Sequence, residues 1–194
     1  VTMKDKILEE RKLPLQGVIV LDLTRATAGP LGAQLLGDMG ATVIKIEVPP
    51  QKQKQTRGID SRESLYQSYS CGEFDIHFLS INRNKKGLTL DLSSDRGKEV
   101  FRDLVKASDV VFENFRPGSM KRLGLDYESL RKINPKIVYC SLTGYGDSGP
   151  LRDLPAFDVI IEATSGLLNA VSYIDPNGNY HWPAIAMADH LGGI

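Results

Sequence analysis

The chain is 194 residues long with 24 Lys and Arg against 24 Asp and Glu, so its formal charge is zero and the basic excess that phosphate-backbone binding requires is absent. Hydrophobic residues at 41% and charged residues at 25% are globular proportions, which exclude wholesale disorder and give one core domain as the expectation. No apolar run approaches the roughly 18 residues that span a bilayer, and Cys71 and Cys140 form no Cys-x-x-Cys pair, which argues against a membrane span, a dithiol motif or a disulfide framework.

Residues 1–12 are polar, lack the apolar stretch of a signal peptide and read as an N-terminal extension. Residues 18–23 (Val-Ile-Val-Leu-Asp-Leu) are a buried-strand run that ends in the Gly-Pro stretch 24–30. Leu31, Leu35, Leu36 and Met39 then recur at helical spacing, with Pro30 suited to the first turn and Gly40 to the C-terminal cap. Residues 42–47 (Thr-Val-Ile-Lys-Ile-Glu) follow as a second strand, and the crossover rule makes the two strands parallel. Residues 48–73, with Pro49-Pro50 and a Gln/Lys-rich stretch, read as a long exposed loop. The alternation resumes with a strand at 88–92, a helix from Ser93 or Ser94 to about Ala107, a strand at 109–113, short helices within 119–134 and a strand at 136–142. Residues 156–171 carry a helical pattern with few polar positions, which predicts a well-buried helix, and the sequence stops at Gly192-Gly193-Ile194 in what reads as an unfinished helix of a longer protein.

This alternation predicts an α/β fold with a mainly parallel sheet. Such sheets bind ligands beyond the carboxyl ends of their strands, which directs attention to the loops at 24–30, 48–57, 114–122 and 143–150. The first of these can receive an anion at a helix start, or be an ordinary strand-to-helix turn; it lacks the three spaced glycines of the dinucleotide fingerprint. The segment 113–122 combines Phe115, Arg116, Lys121 and Arg122, a set able to pack on a base and meet a phosphate, or simply a solvated helix face. The run 80–86 (Ser-Ile-Asn-Arg-Asn-Lys-Lys) reads as a solvated turn. Asp158 is either a helix cap or a site group. Asp189 stands where a helix begins, and such a carboxylate is a usable nucleophile or an N-cap. With three histidines, His77, His181 and His190, and no two at helical ligand spacing, a metal site is not expected.

Taken together, several segments resemble the class III (family III) coenzyme A transferases of CaiB/BaiF type. They are Leu15-Gln-Gly-Val-Ile-Val-Leu-Asp-Leu-Thr with Ala28-Gly-Pro30, Gly37-Asp-Met-Gly-Ala-Thr-Val-Ile-Lys-Ile-Glu47, Asn82-Arg-Asn-Lys-Lys86, Glu113-Asn-Phe-Arg-Pro-Gly118, Thr143-Gly-Tyr-Gly146, Phe157-Asp158, Ser165-Gly166 and Ala188-Asp189, in family order. The resemblance implies a Rossmann-like sheet with helices on both faces, of which residues 13–194 would be the N-terminal part of the large domain. The small domain and the C-terminal part are not in this sequence. It also implies a homodimer of interlocked protomers, acyl-CoA and carboxylic acids as substrates, no nucleic acid or membrane partner, and no required metal or redox cofactor. A cytoplasmic location is expected, or the mitochondrial matrix or peroxisome if the source is eukaryotic.

Carried over by position, the resemblance makes Asp189 the nucleophile, which forms an aspartyl-acyl anhydride and then an aspartyl-CoA thioester. It gives CoA contacts at Ala26, Thr27 and Ala28 and at Asn114, Phe115, Arg122 and Leu123. Val48 and Thr143 stand where some relatives carry Arg and Lys, and Lys52, Lys54 or Arg57 are the candidates to compensate. The racemase branch of the family would need a histidine where Phe157 stands, and a phenyl ring exchanges no proton. CoA transfer is therefore the expected activity. A racemase-like enzyme, a non-catalytic CoA-binding subunit and a generic nucleotide-binding domain are the alternatives.

Overall fold

A computed structural model describes residues 13–49, 52, 70–71, 74–182 and 185–194, which leaves the extension 1–12 and most of the expected loop 48–73 outside the described residues. The chain builds a five-stranded sheet from β1 (Ile19–Asp22), β2 (Thr42–Glu47), β5 (Lys85–Thr89), β6 (Val110–Glu113) and β7 (Val138–Ser141). Their spatial order is β5-β2-β1-β6-β7, and each pairing is parallel. Two antiparallel pairs accompany it, β3 (Ser70–Cys71) with β4 (Phe74–Asp75) and β8 (Tyr173–Ile174) with β9 (Tyr180–His181).

Helices cover both faces. Helix α1 (Ala28–Asp38) links β1 to β2, and Val20, Ala33, Ala41, Val43 and Phe112 form the smaller core on its side. Helix α3 (Asp95–Lys106) links β5 to β6, and its Phe101 and Val105 join Leu21, Leu23, Ile46, Val111, Met120, Leu125, Leu130 and Ile137 in the larger core on the opposite face. The neighbours Val20 and Leu21 thus point to opposite cores, the pattern of a strand covered on both sides. Ser94 caps α3 by accepting the Gly97 N–H at 3.0 Å, with Asp95 in the first turn and Lys106 in the last, as helix electrostatics favour.

Three sequence expectations shift. The strand expected at 88–92 forms at Lys85–Thr89, because register on β2 decides it: Val43 aligns with Lys85 and Glu47 with Thr89. The helix expected through 156–171 is two, α6 (Asp158–Ser165) and α7 (Leu167–Val171), broken at Gly166, whose φ of 81° no helix continues. The segment is also not well buried: Phe157, Val159 and Ile160 are exposed, and Glu162 is its buried residue. Apolar composition marks what can be covered, and the described elements leave these side chains uncovered.

The remaining described helices are α2 (Ile76–Ile81), α4 (Ser119–Leu123), α5 (Tyr127–Leu130) and α8 (Met187–Gly192). No helix among the described residues is long and apolar enough to cross a membrane.

Candidate active site

The chain runs outward from β1 through β2 to β5, then returns to place β6 on the other side of β1. That reversal makes the carboxyl ends of β1 and β6 the topological switch point, the position where open α/β sheets take ligands in a crevice. The loops that follow these strands are tied together there. Asn114 Oδ1 accepts the Arg25 N–H at 2.7 Å, and Asn114 Nδ2 donates to the Arg25 carbonyl at 2.8 Å. The Arg25 guanidinium sits over the Phe115 ring, 5.0 Å from its centroid. Glu113 fixes the ring's backbone by accepting the Phe115 N–H at 2.7 Å, and burial pushes its carboxyl above the ordinary glutamate value.

Asp189 comes to the same end of the sheet on α8, which packs against α1. Gly193, just beyond that helix, packs so close to the Ala28 carbonyl at the start of α1 that a side chain there would strike it. Two carboxylates one turn apart on α6 hold the α8 N-terminus. Glu162 Oε1 accepts the Met187 N–H and Asp158 Oδ1 accepts the Asp189 N–H, both at 2.8 Å. These satisfy N–H groups that a helix start leaves free, and the N-cap residue Ala186 supplies no side-chain bond. Asp189 is therefore not the cap of its helix.

Burial pushes the Asp189 carboxyl above its ordinary value, the negative charge of Asp158 adds to the rise, and a hydrogen bond from the Thr27 hydroxyl opposes it. Thr27 Oγ1 also lies 3.0 Å from His77 Nε2 on α2. Imidazole, hydroxyl and carboxylate thus form a chain from α2 through the first loop to α8.

The structure brings Thr27, Asn114, Phe115 and Asp189 together around this crevice. Ala26 adopts a left-handed φ of 59° and Ala28 opens α1, so both shape the backbone that carries Thr27. Arg122 is exposed and donates to Ser119 Oγ at 2.9 Å, while Leu123 packs against the larger core. Lys52, a candidate to replace a missing cation, binds Asp91 at 2.6 Å and Ser93 at 3.2 Å instead, and holds the Asp91 carboxyl down at about 2; Lys54 and Arg57 lie outside the described residues. His190 Nδ1 contacts the Ala186 carbonyl at 2.6 Å within its own helix. Among the described residues, no group of three or more His, Cys, Asp or Glu side chains is placed to hold a metal ion.

Sequence reasoning passed over His77, which carries no local signal, and over Glu162 as the partner of α8. It also took Lys85 for part of a solvated turn. The Lys85 side chain is 2% exposed and bonded to Asp22 at 2.9 Å. A run of cations cannot reveal that one of them turns inward.

The family model "CoA-transferase family III" matches residues 15–194. The chain belongs to CoA-transferase family III. An acetyl-CoA:oxalate CoA-transferase of Acetobacter aceti is 42% identical over 164 residues, 84% of this chain and 40% of that protein. The human succinyl-CoA:glutarate CoA-transferase is 38% identical over 181 residues, 93% of this chain and 39% of that protein. The crystal structure of a CaiB/BaiF family protein from Brucella suis superposes with a TM-score of 0.81 at 35% identity, covering 94% of this chain and 47% of that one. This family III chain thus spans less than half the length of these relatives, and its α/β sheet is the fold that the Brucella suis structure shares.

Proposed function

We propose that the protein transfers coenzyme A from an acyl-CoA to a carboxylic acid, with Asp189 as the covalent carrier. The observation that carries this reading is that Asp189 is half-buried and freed from capping, with the Thr27 hydroxyl hydrogen-bonded to it. Burial and the Asp158 charge raise its basicity, which strengthens a carboxylate as a nucleophile.

An Asp189 oxygen bonds to the thioester carbonyl carbon, the C–S bond breaks, and CoA leaves as the thiolate. The thiolate then attacks the Asp189 carbonyl carbon of the anhydride, giving an aspartyl-CoA thioester and releasing the donor acid as its carboxylate. The acceptor carboxylate attacks that thioester, and the freed thiolate attacks the acceptor's carbonyl carbon, which restores Asp189. No net proton is consumed. Each addition places negative charge on an oxygen, and the Thr27 hydroxyl is a donor in position to stabilise that charge on the aspartyl side. The crevice loop with Phe115 and Asn114 is the proposed seat of the CoA nucleotide. The family relatives named above act on oxalate and glutarate, which supports small dicarboxylates as the substrate class.

The test is mass spectrometry of the full-length gene product after incubation with acetyl-, formyl- and succinyl-CoA. A CoA-sized adduct on the peptide containing Asp189 is expected, and turnover should vanish in Asp189→Ala. Full activity in Asp189→Ala refutes the role.

A further inference from the structure

Beneath the loop that presents Thr27, the described residues form a buried cluster of two cations, Lys85 and Lys45, around Asp22. Lys85, at the start of β5, reaches past β2 and donates to Asp22 Oδ2 at 2.9 Å, to the Pro30 carbonyl at 2.7 Å and to Asn82 Oδ1 at 2.9 Å. Lys45 on β2 donates to the Thr24 carbonyl at 2.9 Å and lies 3.9 Å from Asp22 Oδ2. The other oxygen of Asp22 accepts both the Thr24 N–H at 2.8 Å and the Thr24 hydroxyl at 2.5 Å. The side chains of Lys85, Lys45 and Asp22 are 2%, 5% and 0% exposed.

Burying ions is costly, and replacing a buried ion pair by apolar side chains is often neutral or stabilising, so stability alone does not account for a second ammonium group here. The destinations of the bonds do. Thr24 opens the loop that carries Thr27 and Pro30 lies in the first turn of α1 that follows it, so the cluster holds a backbone group on either side of Thr27. Lys85 also uses each of its three N–H groups, and a neutral amine has only two to offer three acceptors.

We propose that Lys85 is a positioning residue for the Asp189 site, its ammonium group clamping the loop after β1 and the first turn of α1 through Asp22 and the Pro30 carbonyl so that the Thr27 hydroxyl is held toward the carboxylate. The inference rests on the reading of Asp189 as the carrier of CoA transfer. It requires Lys85 to be protonated during turnover. Burial lowers the Lys85 pKa to about 8, with Asp22 opposing the fall and Lys45 adding to it; among the described residues these are the charged groups that act on it. Between about 8 and the ordinary lysine value of 10.5 the unfolded chain binds more protons than the folded one, so the Lys85 contribution to stability rises with pH through that window. Activity moves the opposite way, because the clamp loses a bond. Loss of turnover without loss of fold is the signature.

The experiment measures kcat, KM for acyl-CoA and thermal midpoint from pH 6.5 to 9.5 for the full-length gene product and its Lys85→Met variant. The donor and acceptor are the most active pair among succinyl-, acetyl- and formyl-CoA with oxalate, succinate and glutarate. The expected results are a fall in kcat through pH of about 8 in the parent with no matching fall in midpoint, and at least a tenfold lower kcat with little change in KM and no alkaline limb in Lys85→Met. If that variant does not fold, the parent profile still decides. A parent kcat flat to pH 9.5, an activity loss that tracks the thermal midpoint, or a Lys85→Met enzyme with parental kcat and pH profile overturns the inference. Asp189→Ala run alongside separates the two failures: abolished turnover there with parental behaviour in Lys85→Met sinks only the clamp, and retained turnover there sinks both.

Discussion

Truncating Glu162 to alanine removes the acceptor that α6 offers to the start of the helix bearing Asp189. The residue is 3% exposed, and its Oε1 accepts the Met187 N–H at 2.8 Å. A hydrogen bond to a charged group contributes about 1.5–3 kcal/mol, and the favourable meeting of a carboxylate with a helix N-terminus adds about 0.3–1 kcal/mol. A loss of about 2–3 kcal/mol, at about 1.4 kcal/mol per factor of ten, shifts the balance between docked and undocked α8 by about 30- to 150-fold. The loss should be local, because Asp158 still holds the Asp189 N–H and the strands of the sheet are untouched. Hydrogen–deuterium exchange of the full-length protein should show the peptide containing 187–192 exchanging faster by about that factor, while α3 exchanges at the parental rate. Glu162→Gln keeps an acceptor of the same reach and should recover most of the protection. Parental exchange at α8 in Glu162→Ala would refute the account of how this helix is held, as would equal loss of protection in α3.

Further outcomes follow from the same contacts. Thr27→Val deletes the hydroxyl that lowers the Asp189 pKa, so the acidic limb of kcat/KM should move to higher pH and kcat should fall about 10- to 100-fold, the scale of one hydrogen bond to a charged group; an unmoved limb contradicts it. Asp189→Asn should abolish transfer yet raise the thermal midpoint at pH 7. Its folded pKa lies above the unfolded one, so ionising it weakens the fold as pH rises through that window, and the gain from Asn should vanish below pH of about 4, where both states are protonated. Asn114→Ala removes two bonds to the Arg25 backbone, worth about 1 kcal/mol each, and should raise KM for acyl-CoA about 10- to 30-fold with a smaller change in kcat; a selective loss of kcat would place Asn114 elsewhere in the reaction.

Residue patterns alone were enough to read the α/β alternation and to mark Asp189 for attention. A short β-branched apolar run such as Ile19–Asp22 reads as a strand buried on both faces, and Ser94 announces the helix that it caps. Those signals are local, because period and capping act within a few residues. Tertiary structure decided what Asp189 does at its helix, since its capping partners Asp158 and Glu162 come from a helix some 25–31 residues earlier. It decided which of the cations in 80–86 is buried, because Lys85 finds Asp22 63 positions away, and it joined His77 to Thr27 across 50. A carboxylate, an imidazole and an ammonium group look alike in any exposed loop; their protonation and direction depend on burial and on distant partners, which exist only once the sheet has assembled.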